Sequence, residues 1–126
     1  MKPETEEWIQ KAEGNWRFVQ WGMQADKPVW DVICFLCQQS GEKYLKAFLE
    51  EEGINFPKTH DLVLLLNLSA SLLPGLVAHK QELAYLTTLS VATRYPGMEA
   101  LQQDAEDAIK AAGEVRSIIR AKLGLS

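Results

Sequence analysis

Few side chains in this sequence can do chemistry. The histidines are His60 and His79, the cysteines Cys34 and Cys37, and the arginines Arg17, Arg94, Arg116 and Arg120. A structural zinc site takes four thiolate or imidazole ligands. Neither histidine stands at ligand spacing from the cysteine pair, so no metal is expected. A redox C-x-x-C opens a helix, where the dipole lowers a thiol pKa. Cys34 and Cys37 instead lie inside an apolar run, which reads as buried free thiols in a reducing cytosol. No phosphate-cradling glycine loop, nucleophile elbow or Glu-x-x-His pair occurs, and no cofactor is expected.

The polar candidates are Gln38, Gln39, Lys43, His60, Asp61, Arg94 and Tyr95. Gln38 and Gln39 follow an apolar stretch, with Glu42 and Lys43 next. A buried amide needs partners, so the pair signals either a helix–helix hydrogen bond or a binding groove. His60 either orients its loop or forms a polar site with Asp61. Arg94 ends a segment, where a cation suits the helix dipole, or its donors grip an anion. Tyr95 either stacks on a base or packs under the turn.

The elements that position these residues follow from punctuation and period. Pro28, the stretch 53–57, Pro74–Gly75 and Pro96–Gly97 divide the chain into five helix-sized segments without strand alternation. Trp8, Ile9, Ala12, Trp16, Val19 and Met23 trace one stripe over Thr5 to Met23. Gly14 is a weak spot there, for which close helix packing would compensate. Pro28 to Glu52 is apolar on most sides of its first half; Glu42, Lys43, Lys46, Glu50 and Glu51 are expected to face water in its second. Thr59 is predicted to cap the third segment, DLVLLLNLSASLL, with His60 and Asp61 in its first turn. Leu76 to Thr93 and Glu99 to Leu123 complete the set, with Leu101 among the core candidates of the last. The expectation is a single domain over residues 1–126: an all-α, five-helix up-and-down antiparallel bundle. If every segment crosses the bundle, loops 53–59 and 94–98 share an end, and His60 meets Arg94.

Three landmarks carry a resemblance. DVICFLCQQSGEKYLKAFL (31–49), FPKTHDLVLLL (56–66) and RYPG (94–97), with Trp8-x-x-x-Ala12 before them, resemble the HEPN family, the higher-eukaryote and prokaryote nucleotide-binding domain, over essentially the whole chain. The resemblance implies a helical bundle that pairs as a homodimer. It also implies a minimal nucleotidyltransferase as partner, often in a two-component, toxin–antitoxin-like system. Many members cut RNA with an Arg-x(4–6)-His pair; no arginine here lies four to six residues before His60 or His79. Asn15 stands where this subgroup commonly has an acidic residue. What carries over is a nucleotide- or partner-binding cluster of Gln38, Gln39, Lys43, His60, Asp61 and Arg94. The expected function is therefore non-catalytic binding; the alternative is a metal-independent ribonuclease using His60 and Arg94.

Bulk properties agree with that reading. The 126 residues carry 13 basic and 17 acidic side chains, a net charge of −4. Backbone-driven nucleic-acid binding usually comes with a basic surplus, so any RNA contact must be a local patch. The acidic N-terminus and the absence of an 18-residue apolar run predict a cytoplasmic protein without a membrane segment. Val32, Phe35 and Leu36 lie off the main stripe of the second helix, surplus apolar surface that a two-fold interface would cover.

Overall fold

The computed structural model describes residues 1–92 and 96–126, with the backbone alone at 91 and 92. Among the described residues six helices follow one another: α1 (Pro3–Met23), α2 (Trp30–Glu52), α3 (Leu62–Leu68), α4 (Pro74–Val77), α5 (Lys80–Ala92) and α6 (Gln102–Lys122). A single 3-10 turn, Ala70–Leu72, separates α3 from α4. Five of the six have seven residues or more, and no strand occurs among the described residues. The all-helical bundle expected from the apolar periods is the observed architecture.

α2 is the axis, packed by α1, α3, α5 and α6. Its over-apolar sequence follows from that position. α1 runs antiparallel to it: Lys2 Nζ donates to the Glu50 carbonyl (2.9 Å), Ser40 Oγ to the Ala12 carbonyl (3.0 Å), and Gly22 lies against Ile33. α6 runs beside α2 in the same direction. The Ala100 amide, just before α6, donates to Asp31 at the start of α2 (2.5 Å), and Arg120, near the end of α6, donates to the Tyr44 hydroxyl (3.2 Å). α5 returns against α6, with Tyr85 Oη donating to Asp104 (2.6 Å). The buried core unites Ala12 and Val19 of α1 with Ile33, Tyr44, Leu45 and Leu49 of α2, Leu62, Leu65 and Leu66 of α3, Leu83 and Leu86 of α5, and Val115 and Ile119 of α6. Each such leucine or isoleucine contributes about 1.5–3 kcal/mol by leaving water.

Several boundaries differ from those predicted. α2 starts at Trp30, two residues after Pro28, because Val29 is still extended (φ −97°, ψ 94°). The third segment breaks after Leu68: Ser69 and Leu73 leave helical space (φ −130° and −128°), the second because the ring of Pro74 disfavours the α conformation before it. Pro74 opens α4, and the fourth segment restarts as α5 at Lys80. The cap of α3 is Asp61, whose Oδ1 accepts from the Val63 and Leu64 amides (3.0 and 3.2 Å); Thr59 Oγ1 accepts from the Asp61 amide (3.1 Å) instead. Leu101 precedes α6 with 68% of its surface exposed, so it is not core, and Glu99 lies outside that helix. Gly14 has open space: a Cβ there would meet nothing within 4 Å, so close packing does not account for it.

Candidate functional site

The site begins with how α2 ends. Gly53 takes the left-handed conformation (φ 69°), its amide donates to the Glu50 carbonyl (3.1 Å), and the Ile54 amide donates to that of Leu49 (2.9 Å). This closure favours glycine because a Cβ is strained at positive φ. The chain then turns back along α2. Phe56 meets Trp8 edge-on, ring centres 6.2 Å apart, and His60 returns to the level of Gln38 and Glu42.

There α2 presents Gln38, Glu42 and Lys46, one helical turn apart on one face. All three are buried, at 0%, 4% and 7% exposure, so the expectation that Glu42 and Lys46 face water is corrected. The Glu42 carboxylate is surrounded by donors: Lys46 Nζ on Oε2 (3.0 Å), and Gln38 Nε2 (3.2 Å) and His60 Nδ1 (2.7 Å) on Oε1. Gln38 Nε2 also donates to the His60 carbonyl (2.8 Å), and Gln39 Nε2 donates to Gln38 Oε1 (2.8 Å). Burying that carboxylate is tolerable only because a cation and amide and imidazole donors meet it. Lys46 Nζ also stands 5.5 Å from the Trp8 ring centre. The His60 side chain is 60% exposed, so the network runs from the core to the surface and ends in an imidazole.

The sequence-predicted residues divide. Gln38, Gln39 and His60 come together. Lys43 points to α1, donating to Asn15 Oδ1 (2.8 Å); burial pulls its ammonium pKa below the usual value, with Glu42 opposing. Asp61 is the α3 cap, and His60 pairs with Glu42 instead. Arg94 and Tyr95 lie outside the described residues. The premise for pairing Arg94 with His60 is not met, since α3, the 3-10 turn and α4 are too short to cross the bundle. Ala100 is fixed at the start of α2, and His60 lies level with Gln38 and Glu42. Glu42 and Lys46 are the members that sequence reasoning missed, although their spacings of four and eight from Gln38 were a readable signal.

A second polar cluster joins α1, α2 and α6. Arg116 grips Glu13 with Nε (2.9 Å to Oε2) and Nη2 (2.5 Å to Oε1), and the Tyr44 hydroxyl donates to the same carboxylate. Burial pushes the Glu13 carboxyl up, but the hydrogen bonds from Arg116 and Tyr44, with the charges of Arg116 and Arg120, outweigh it and hold the pKa below the usual value. Cys34 and Cys37 are free and buried; burial pushes the Cys34 thiol up to about 12 and raises Cys37 as well. No group of three or more potential metal-ligating side chains occurs among the described residues.

An exposed apolar feature lies at the α1–α2 turn. Phe18 and Trp21 stack edge-on, ring centres 5.2 Å apart, and are 60% and 59% exposed. With Val29, Val32 and Leu36 they line a groove of about 340 Å³ rimmed by Lys27. Val32 is exposed, and Phe35 and Leu36 are half-buried.

The fold is a helical bundle wound around one central helix. The chain belongs to the HEPN domain family, whose model matches residues 5–122. An archaeal HEPN homologue of known structure is similar to it, with a TM-score of 0.77 and 24% identity over 98% of this chain and 99% of that one. That likeness shows the shared fold. No curated protein matches.

Proposed function

We propose that this chain is a non-catalytic HEPN-type binding subunit. It pairs with a second copy through the α1–α2 face and engages a minimal nucleotidyltransferase, or a nucleotide, through the cluster of Gln38, Gln39, His60 and Asp61, with Lys43, Arg94 and Tyr95 as further candidate contacts. The observation that carries the reading is the apolar face: Phe18, Trp21, Val29 and Val32 are all exposed side by side. Contiguous exposed apolar surface marks a partner site, and aromatic anchors are what such sites use. No described helix is long and apolar enough to cross a membrane. The lack of an Arg-x(4–6)-His pair supports the non-catalytic half. A two-component, toxin–antitoxin-like arrangement with the transferase is part of the same proposal.

Affinity purification of the tagged chain from its native host, read by mass spectrometry, tests the transferase half. The expected result is a stoichiometric minimal nucleotidyltransferase whose recovery falls at least tenfold with Gln39→Ala/His60→Ala. Recovery of the chain without a transferase would contradict it.

One observation favours a second reading. His60 is an exposed imidazole backed by a buried carboxylate, the arrangement of a general base. In that reading the chain is a metal-independent ribonuclease using His60, with Arg94 as phosphate clamp.

A further inference from the structure

We propose that Lys43 is a carbon dioxide acceptor, its Nζ forming a reversible carbamate in the seam between α1 and α2.

The seam treats its two α2 lysines differently. Lys46 is buried and its Nζ meets the Glu42 carboxylate at 3.0 Å, so it is held as an ammonium in an ion pair. Lys43, three residues earlier and half-buried, donates to Asn15 Oδ1 at 2.8 Å, a neutral acceptor. Lys11 stands one turn before Asn15 on α1. The antiparallel packing puts it level with Lys43, since its neighbour Ala12 accepts from Ser40 and Trp8 faces Lys46. Among the described residues no ion pair joins Lys11 or Lys43 to a carboxylate. The ammonium groups of Lys11, Lys43 and Lys46 therefore crowd together with Glu42 as their counter-charge.

Crowding and burial both favour an amine that sheds its charge. Burial pulls the Lys43 pKa below its usual value; Glu42 opposes this, and the charges of Lys11 and Lys46 add to it. A neutral lysine is a nucleophile. Its place between two helices admits a small, uncharged electrophile. The surroundings also select the product. An imine or an amide would only remove the charge at Nζ, whereas a carbamate reverses it and places an anion beside Lys11 and Lys46. Asn15 suits both states, because its Oδ1 accepts from an ammonium and its Nδ2 donates to a carbamate oxygen once the amide turns over.

The step needs no oxidant, reductant or further reactant. The ammonium gives one proton to water, and the freed Nζ lone pair forms a bond to the carbon of carbon dioxide. One carbon–oxygen π pair moves onto oxygen, and a second proton leaves Nζ. Carbon dioxide and the ammonium thus become a carbamate anion and two solvated protons. Acidification returns both protons and releases the gas.

The test uses the whole chain in carbon-13 bicarbonate at about pH 8. Carbamates are trapped by alkylation with triethyloxonium ion, then located by peptide mass spectrometry. Lys43 should carry at least about tenfold more trapped label than the exposed Lys27 and Lys58, the ratio that one pKa unit gives. Label on Lys43 no greater than on those two would overturn the proposal. Asn15→Asp sets a carboxylate against the ammonium and should lower the Lys43 label about tenfold, with the helical spectrum and the Lys58 label unchanged. Lys11→Gln, a change at an exposed side chain, should lower it as well, because it removes both the repulsion on the ammonium and the counter-charge of the carbamate. A Lys43 label that is insensitive to both changes would overturn the proposal. In carbon-13 NMR of the unalkylated protein the carbamate resonance should vanish in Lys43→Arg; a resonance that persists undiminished there would contradict the assignment.

Discussion

Glu13 shows how a single side chain sets a pH limit. Arg116, Tyr44 and Arg120 converge on its carboxylate and keep its pKa below the usual value in the fold. A depressed carboxyl contributes stability that is present above its unfolded pKa and is lost as pH falls through the folded one. Replacing Glu13→Gln should cost about 1–2 kcal/mol at pH 7, allowing for its partial exposure. It should also flatten the decline in stability below about pH 4.5, as read by urea unfolding across pH; a parallel acid decline in both proteins would contradict this. The two thiols give a second residue-scale expectation. Neither Cys34 nor Cys37 should react with a thiol reagent at pH 8 in the native protein, and both should react in denaturant; rapid native labelling would contradict their burial. At this scale the sequence was legible where a residue departs from its neighbours. Gln38, Gln39 and His60 stood out as polar groups beside apolar runs. Glu42 and Lys46 were hidden because charged residues usually face water, and here the returning 53–61 loop and Trp8 of α1 cover them.

Between residues and bundle lie the helices, whose type was legible and whose ends were not. Stripes of period three to four identify α1, α2 and α6 because one face of each is buried. The third and fourth segments mislead because their apolar runs are too continuous to mark a break, and the break depends on local conformation at Ser69 and Leu73. Counting those segments as full crossings was the premise for expecting loops 53–59 and 94–98 together, and α3 and α4 have only seven and four residues. One helix position offers a direct measurement. Gly14 lies inside α1 with open space where a Cβ would stand. Gly14→Ala should therefore stabilise the protein by about 0.5–1 kcal/mol, through helix propensity and the smaller entropy of the unfolded chain. A lower melting temperature would show that the position is crowded in solution, as a dimer contact through that part of α1 would make it.

The whole molecule presents two surfaces of different chemistry. At the α1–α2 turn, Phe18, Trp21, Val29 and Val32 expose apolar area that water does not stabilise. Val32 and Glu42 stand ten residues apart on α2, about 15 Å along the axis, so a partner on the apolar face leaves the His60 surface open. The sequence already carried the surplus in Val32, Phe35 and Leu36, but Phe18 and Trp21 joined it only when α1 and α2 packed side by side. The central claim is that this face is a pairing surface, and sedimentation equilibrium of wild type and Trp21→Glu at micromolar protein tests it most directly. Wild type should sediment at twice the chain mass of 14.2 kDa. Trp21→Glu should weaken association by at least about 2 kcal/mol, roughly thirty-fold, and sediment as a single chain with its helical spectrum intact. A wild-type protein that stays at the single-chain mass, or a Trp21→Glu protein that remains fully paired, would contradict the account.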